Sequence, residues 1–482
     1  MTAIVTDAFK HKVAEDLFTE LSNTGDANEF YIGIGKTDQY DSSDTTATPL
    51  RHQFDNRIAR GNLESVKKVT AQSFVVTRNN WSSGRTYDAY NDQQVGFSAN
   101  PYYVLTEDNE VYICLQQSKS STGSSNPSTV KPSYTAVSAN SNHSFKTSDG
   151  YRWKFLYSIS AGDATNFLTS AFMPTQKITV DSASTNAFTI LQKNVQNTAV
   201  PGQVVGIEVV NGGDGYSSAP TITIVGNADS AQIATATATI SGGSIVKVEM
   251  TGTFDSGMGR GYDFASATVT GNATLRPIIG PRDGFGADAR KDLKSSSLML
   301  NAKPAGTESN TFNITNDFRQ ITLLRNPLRV SDSASDGSLF TASSLKVNRI
   351  MQMTAAKSTT GFAVDEKITG GTSGATAFID EVGDSNGSKI IRIHQNEKTV
   401  NQRFIDGESI TGSASGSGTI EFSYQRIANG NISGVDGFPS TAANGTYGAI
   451  DRFSGDLLYL ENRARIVRSS AQTEDIKVIF TV

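Results

Sequence analysis

Apolar and polar positions alternate with a period of two along much of this chain, and one stretch stands out by its helical period. In residues 6–21, Phe9, Val13, Leu17 and Leu21 recur every fourth position with Phe18 beside them. That spacing predicts a helix packed on a sheet or on a partner. Thr6 or Asp7 can cap its first free N–H groups, and Asn23-Thr24-Gly25 ends it. From Phe30 onward strand signals dominate. Phe30–Gly35, Ser73–Arg78, Tyr102–Thr106, Glu110–Gln116 and Tyr151–Ser160 are short and rich in β-branched or aromatic residues. Glu107-Asp108-Asn109 fits a hairpin turn between two of them. Near the end, the apolar runs Leu457–Leu460 and Ile476–Val482 flank a polar segment, Glu461–Asp475. A terminal run of this kind is expected to close a sheet or an interface.

Two blocks are rich in Gly, Ser and Thr and carry internal repeats. In the first, Val204–Val210, Thr221–Val225, Ala234–Ile240 and Ser244–Met250 read as half-buried antiparallel strands. Asn211-Gly-Gly-Asp-Gly-Tyr216 leading to Thr221–Gly226 is echoed by Ser256-Gly-Met-Gly-Arg-Gly-Tyr262 leading to Ala267–Gly271. The glycines permit positive φ in a tight turn, and each Tyr is expected to pack back over its turn. In the second block, Phe362–Gly374 resembles Phe404–Gly416, with Phe, then Asp/Glu, then Ile-Thr-Gly, then Ser-Gly in common. The hairpin-like Asp384-Ser-Asn-Gly387 joins the two copies into a compact β module. Residues 118–144 are polar and of low complexity, which predicts a long surface loop or an extended arm.

Composition agrees with many short strands and turns. Apolar residues make up 37% and charged residues 18%, with 43 Gly filling part of the gap. The 24 Phe and 15 Tyr supply large buried groups, which argues against disorder. A length of 482 residues predicts about three domains. The formal charge is −5, and Lys67-Lys68 and Arg290-Lys291 are the adjacent basic pairs. Nucleic-acid binding is not expected, because it calls for positive charge concentrated on one face. Neither a signal peptide nor a continuous apolar run of membrane-spanning length is seen, so the expectation is a protein made in the cytoplasm and not inserted in a membrane.

Candidate chemistry is sparse. His11, His52, His143 and His394 are far apart in sequence and lack metal-ligand spacing. Cys114 sits in an apolar run and reads as a buried strand residue. Gly383-Asp384-Ser385-Asn386-Gly387 matches a nucleophile elbow by letter, but a strand follows where the elbow needs a helix. Asp384-x-Asn386-Gly387 is similar to part of a calcium loop, with Val382 breaking the ligand pattern. Gly35-Lys36-Thr37 lacks the upstream glycine of a phosphate loop, and Gly257–Gly261 lacks the helix of a dinucleotide turn. Trp81 and Trp153 are the two tryptophans, and Trp153 lies in an apolar strand where core packing is the default. No catalytic, cofactor or metal residue is assigned.

Several segments, in order, carry a resemblance. Ala3–Thr6, Phe30–Lys36, Gly150–Tyr157, Phe318–Ile321 with Asn326-Pro327-Leu328, Gly455–Arg463 and Gln472–Thr481 together resemble the family of the dimeric wedge protein numbered eight of T-even-type phage baseplates. The resemblance covers roughly residues 1–190, 285–335 and 445–482; the excess length falls in the two repeat blocks. The expected fold is mainly β and multidomain, with antiparallel sandwich-like sheets, one N-terminal helix and two inserted Gly-rich β-repeat modules. The expected domains are an N-terminal core (1–194), an inserted module (195–280), a core continuation (281–339), a second inserted module (340–425) and C-terminal core strands (426–482). The resemblance implies a non-enzymatic homodimer in the virion that joins other wedge subunits. It does not extend to the inserted blocks, whose placement and composition instead lead to the expectation of an outer surface that contacts tail fibres, neighbouring wedges or the host envelope. It also directs attention to Tyr459, Glu461, Arg463, Arg465 and Arg468 as an interface cluster, since Arg pairs bidentately with carboxylates and is enriched at binding hot spots. The alternative is a receptor- or glycan-binding tail protein. A polysaccharide-degrading enzyme would need a carboxylate pair in a cleft.

Overall fold

The computed structural model describes residues 5–22, 28–35, 53–94, 96, 99–134, 143–179, 186–227, 233–251, 257–304, 318–328, 339–340, 344–347, 349–353, 361–385, 388–395, 399, 402, 404–405, 407–422, 450–466 and 473–482. Among the described residues strands hold 43% and helices 14%, so the protein is mainly β. The elements run α1 (Asp7–Ser22), β1 (Phe30–Gly35), α2 (Gln53–Gly61), β2 (Leu63–Lys68), β3 (Ala71–Thr77), β4 (Tyr103–Leu105), β5 (Glu110–Gln116), β6 (Ser144–Lys146), β7 (Arg152–Ser158), α3 (Ala161–Phe167), β8 (Phe172–Thr175) and α4 (Ala187–Asn197). Next come β9 (Val204–Asn211), β10 (Ile222–Gly226), β11 (Ala236–Ser241), β12 (Ser244–Met250), β13 (Ala265–Val269), β14 (Thr274–Ile279), α5 (Ala289–Asp292), β15 (Ser297–Ala302) and β16 (Phe318–Arg325). The remainder is β17 (Ser344–Lys346), β18 (Arg349–Met353), β19 (Lys367–Gly370), β20 (Thr376–Ser385), β21 (Ser388–His394), β22 (Ser409–Gly412), β23 (Ser417–Phe422), β24 (Asp456–Ile466) and β25 (Ile476–Thr481). One compact unit comprises residues 1–18, 73–299 and 479–482, and the other 19–72 and 300–478.

Helix α1 starts as expected, with Thr6 Oγ1 accepting from Phe9 N at 3.3 Å. Its buried face differs from the expected one. His11 and Ala14 are buried and Phe18 packs on Phe74 at 5.1 Å between ring centroids, whereas Phe9 is 61% exposed. A strict four-residue spacing drifts around a helix of 3.6 residues per turn, so Phe9 and Leu21 cannot share one narrow stripe. Helices α2 to α5 were not expected. Asn186 caps α4 by accepting from Phe188 N at 3.0 Å, and Asp288 caps α5 by accepting from Arg290 N at 3.1 Å.

In the first unit, the sheet β4-β5-β7-β6 carries the aromatic core. Trp153 and Tyr151 are fully buried and stack at 5.6 Å, with Tyr87 edge-on to Trp153. Thr106 and Asn109 close the β4–β5 hairpin, where Asn109 adopts φ 59°. Residues 118–134 lie against this sheet and do not extend as an arm. Thr129 N and Val130 N donate to Asp149 Oδ2 at 2.8 and 2.9 Å, and Tyr151 Oη donates to Asn126 O at 2.6 Å. The rest of the polar stretch lies outside the described residues.

The first repeat block forms the sheet β10-β13-β14-β9 and the hairpin β11-β12. It shares one hydrophobic cluster with β4, β5 and β7: Ile113 and Leu156 belong to the same core as Val205, Ile245 and Leu275. Its two repeats clasp each other. Asn227 Oδ1 accepts from Asp263 N at 2.9 Å, and Asn272 Oδ1 accepts from Asp214 N at 3.0 Å. Tyr262 and Tyr216 do not fold back over their own turns. Each packs on the glycine that ends the other repeat's strand, Gly226 and Gly271 respectively, where even a Cβ would lie within 3 Å of the ring or hydroxyl. Pairing across the repeats lets each turn be braced by a strand it does not precede.

Asp292 is buried in this unit and accepts from Gly286 N at 2.6 Å. Burial, reinforced by Asp288, pushes its carboxyl from 3.8 up to about 8. A raised folded-state pKa means the folded chain holds a proton that the unfolded chain has released. The associated stability is fully present below pH 3.8 and is lost as pH rises through about 8, at up to about 1.4 kcal/mol per pH unit. Asp292→Asn should therefore flatten the fall in urea midpoint between acid and mildly alkaline pH. An unchanged pH profile in the variant would refute this assignment.

In the second unit, β17-β2-β1-β16-β24 form an antiparallel sheet over a core that includes Tyr31, Leu63 and Leu324. The second repeat block closes into a six-stranded barrel, β18-β21-β20-β19-β22-β23. Its two copies meet about a local two-fold axis. Strands β19 and β22 pair with Thr369 opposite Thr411, so that Ile368 faces Gly412 and Gly370 faces Ile410. Glu366 accepts from Ala363 N of its own copy and Ala414 N of the other, at 2.9 and 2.7 Å. Glu408 does the same with Ile405 N and Thr372 N, at 2.7 and 2.9 Å. Each glutamate thus fills the glycine turn of the opposite copy, and Gly370 and Gly412 leave room for those carboxylates.

Candidate functional site

The interface cluster lies on β24, the end strand of its sheet; among the described residues no strand pairs with its outer side. A tight approach fixes where β24 begins. Arg60 on α2 donates to Arg452 O, Ser454 O and Gly455 O at 3.1, 2.7 and 2.9 Å. Gly455 has φ 64°, and a Cβ there would come within 2.4 Å of Arg325 O, so glycine is required. Arg325 then pairs with Asp456 and Glu20, each at 2.7 Å.

The strand runs through Ile466, so the polar segment expected from Glu461 begins as sheet and not as a connecting loop. A polar stretch can remain a strand when one of its edges faces solvent. Its ladder with β16 is broken twice, between Leu323 and Leu324 and between Phe318 and Gln320. Such bulges sharpen local twist and re-aim side chains.

Tyr459 Oη donates to Glu461 Oε2 at 3.1 Å, and Arg463 Nε lies 3.4 Å from Glu461 Oε1. Burial, then the hydrogen bond and charge of Glu461, raise the Tyr459 pKa. These three expected residues are therefore brought together. Arg465 lies in β24, but its side chain, like all of Arg468, is outside the described residues. The Glu461–Arg463 pair is largely solvated, with side chains 38% and 47% exposed, so within one chain it contributes little. Sequence reasoning missed the exposure of Leu458, 44% exposed and next to Tyr459 on the strand. It also missed Gln320, whose Nε2 donates to Asn462 Oδ1 at 2.8 Å. Strand β25 likewise ends its sheet, β25-β15-β3-β8, and leaves Ile479 and Val482 exposed.

Three of the four histidines lie among the described residues and make hydrogen bonds within the chain. His11 Nδ1 bonds Ser295 O at 2.8 Å, His143 Nδ1 bonds Tyr134 Oη at 3.1 Å, and His394 Nδ1 lies 2.5 Å from Asp380 Oδ1. His52 is outside the described residues. Among the described residues no group of three or more His, Cys, Asp or Glu could hold a metal ion. Cys114 is buried in β5, which pushes its thiol pKa well up. Ser385 lies in β20 and pairs with Ser388 of β21, as a hairpin requires and an elbow does not. The calcium-like residues Asn386 and Gly387 are outside the described residues. Gly259 and Gly261 take positive φ in a turn that leads into strand β13. No helix among the described residues is long and apolar enough to cross a membrane.

No family model matches this sequence, and no curated protein matches it.

Proposed function

We propose that this chain is a structural subunit of a contractile phage-tail baseplate wedge, acting as a homodimer that joins other wedge subunits and performs no catalysis. The observation that carries the reading is the open edge of β24, with Leu458 exposed and Tyr459, Glu461 and Arg463 clustered on it. A second observation supports it. Phe30–Gly35, Phe318–Ile321 and Gly455–Arg463, far apart in sequence, carry the family resemblance and contribute the adjacent strands β1, β16 and β24 of one sheet.

The sequence of β24 is self-complementary in an antiparallel dimer. With Asn462 on the two-fold axis, Glu461 faces the partner's Arg463. The bulges favour contact through side chains over a continuous ladder. A two-fold interface uses one patch twice, so each substitution acts twice. Glu461→Arg is expected to weaken dimerisation by about tenfold or more, and adding Arg463→Glu should restore it. Sedimentation equilibrium reads both. An unchanged dissociation constant in the single variant would remove β24 from the interface.

A further inference from the structure

We infer that Arg60 is a positioning residue that selects the register of β24, and so decides whether Leu458 stands at the docking edge. The inference rests on the reading of β24 as an interface. Arg60 and β24 both belong to the second compact unit.

The ladder between β16 and β24 carries an extra residue. Leu324 stands opposite Leu457 and Leu323 stands opposite Tyr459, so Leu458 falls between them. An inserted residue of this kind disrupts the ladder and bends its strand. Here it leaves Leu458 exposed, whereas Leu457 packs with Leu324 against the core.

The sequence also allows a second register. If the start of β24 moved by one residue, Leu458 would stand opposite Leu324, and Leu457 opposite Arg325. One leucine would replace another in the core, so apolar burial barely separates the two registers. The slipped register mends the ladder and withdraws the exposed leucine.

Anchoring at the start of the strand opposes that slip. Arg60 donates to Arg452 O, Ser454 O and Gly455 O, and its Nε donates to Asn56 Oδ1 at 3.2 Å, which fixes the guanidinium on α2. Arg452 returns the contact by donating to Gly61 O at 2.7 Å. A slip would carry Gly455 about 3.3 Å along β16 and break the three Arg60 bonds to carbonyls. Bonds from a charged donor are stronger than the neutral ladder bonds regained. The Arg325–Asp456 pair is largely solvated and adds little to the anchoring.

Methyl NMR on the full chain tests this, because Leu324–Leu457 and Leu324–Leu458 contacts report the two registers. The parent should show the first. Arg60→Ala should show the second, with a dimer dissociation constant raised by about tenfold or more in sedimentation equilibrium. Arg60→Lys keeps the charge but loses the planar fork, so it should show both contacts; it carries the test should Arg60→Ala fail to fold. A Leu324–Leu457 contact alone in either folded variant overturns the inference, whatever happens to dimerisation. Slip without loss of dimerisation overturns the link to docking and, together with a silent Glu461→Arg, the interface reading itself.

Discussion

Glu408→Ala should destabilise the barrel by about 3–5 kcal/mol, a severe effect for one side chain at the end of a short strand. Glu408 is 5% exposed and its carboxylate accepts four hydrogen bonds. They come from Ile405 N, Thr372 N, Ser373 N and Ser373 Oγ, at 2.7 to 2.9 Å. Truncation removes the acceptor of three backbone donors, Ile405 N, Thr372 N and Ser373 N. Burial works against the charge, but those four donors more than offset it and hold the pKa below its ordinary 4.5. Because that pKa is depressed, the contribution is present above pH 4.5 and is lost as pH falls through the folded value. Glu408→Gln keeps one acceptor oxygen and should cost less. Glu366→Ala removes the acceptor of two backbone donors, Ala363 N and Ala414 N, and should fall between the two. Urea unfolding gives the ranking, and amide exchange at Thr372 and Ser373 gives the location. A Glu408→Ala variant within about 0.5 kcal/mol of the parent would show that the exchanged carboxylates do not hold the copies together.

Trp153→Ala should cost the first unit about 3–5 kcal/mol, the usual range for emptying a large aromatic site. Trp153 is fully buried between Tyr151 and Tyr87, which contact it in stacked and edge-on geometry. Its indole Nε1 is buried with no hydrogen-bond partner. Trp153→Phe therefore sacrifices volume but no hydrogen bond, and should cost about 1–2 kcal/mol. Thermal unfolding of both variants separates packing from polar contributions. Equal losses would mean that the indole N–H, and not the ring's volume, matters at this site.

The strands with continuous apolar or aromatic character were legible in the sequence. Phe30–Gly35 and Glu110–Gln116 are strands with those bounds because both faces of each are packed, leaving no ambiguity of period. The repeats were legible as repeats, yet their use was not. Glu366 and Glu408 sit in the shared motif, but which glycine turn each carboxylate reaches depends on how distant strands pair. The tyrosines of the first block mislead for the same reason: a local reading places Tyr216 on its own turn, whereas its hydroxyl accepts from Ala273 N at 3.2 Å. Helix α4 was signalled by Asn186 as a cap and by Leu191 and Val195 four apart, but the surrounding Thr and Asn masked it. In α1 the core face includes a histidine and an alanine, residues that a count of large apolar side chains passes over. At the candidate interface, Tyr459, Glu461 and Arg463 were legible through resemblance, while the bulges that expose Leu458 arise from a mismatch with β16 that no local pattern records.

The wedge account stands or falls on self-association, and light scattering after size exclusion at several concentrations measures it most directly. It predicts a stable species at twice the 51.4 kDa chain mass, unchanged on dilution. A chain that remains monomeric throughout, or that forms a trimer as fibres and spikes do, would contradict it.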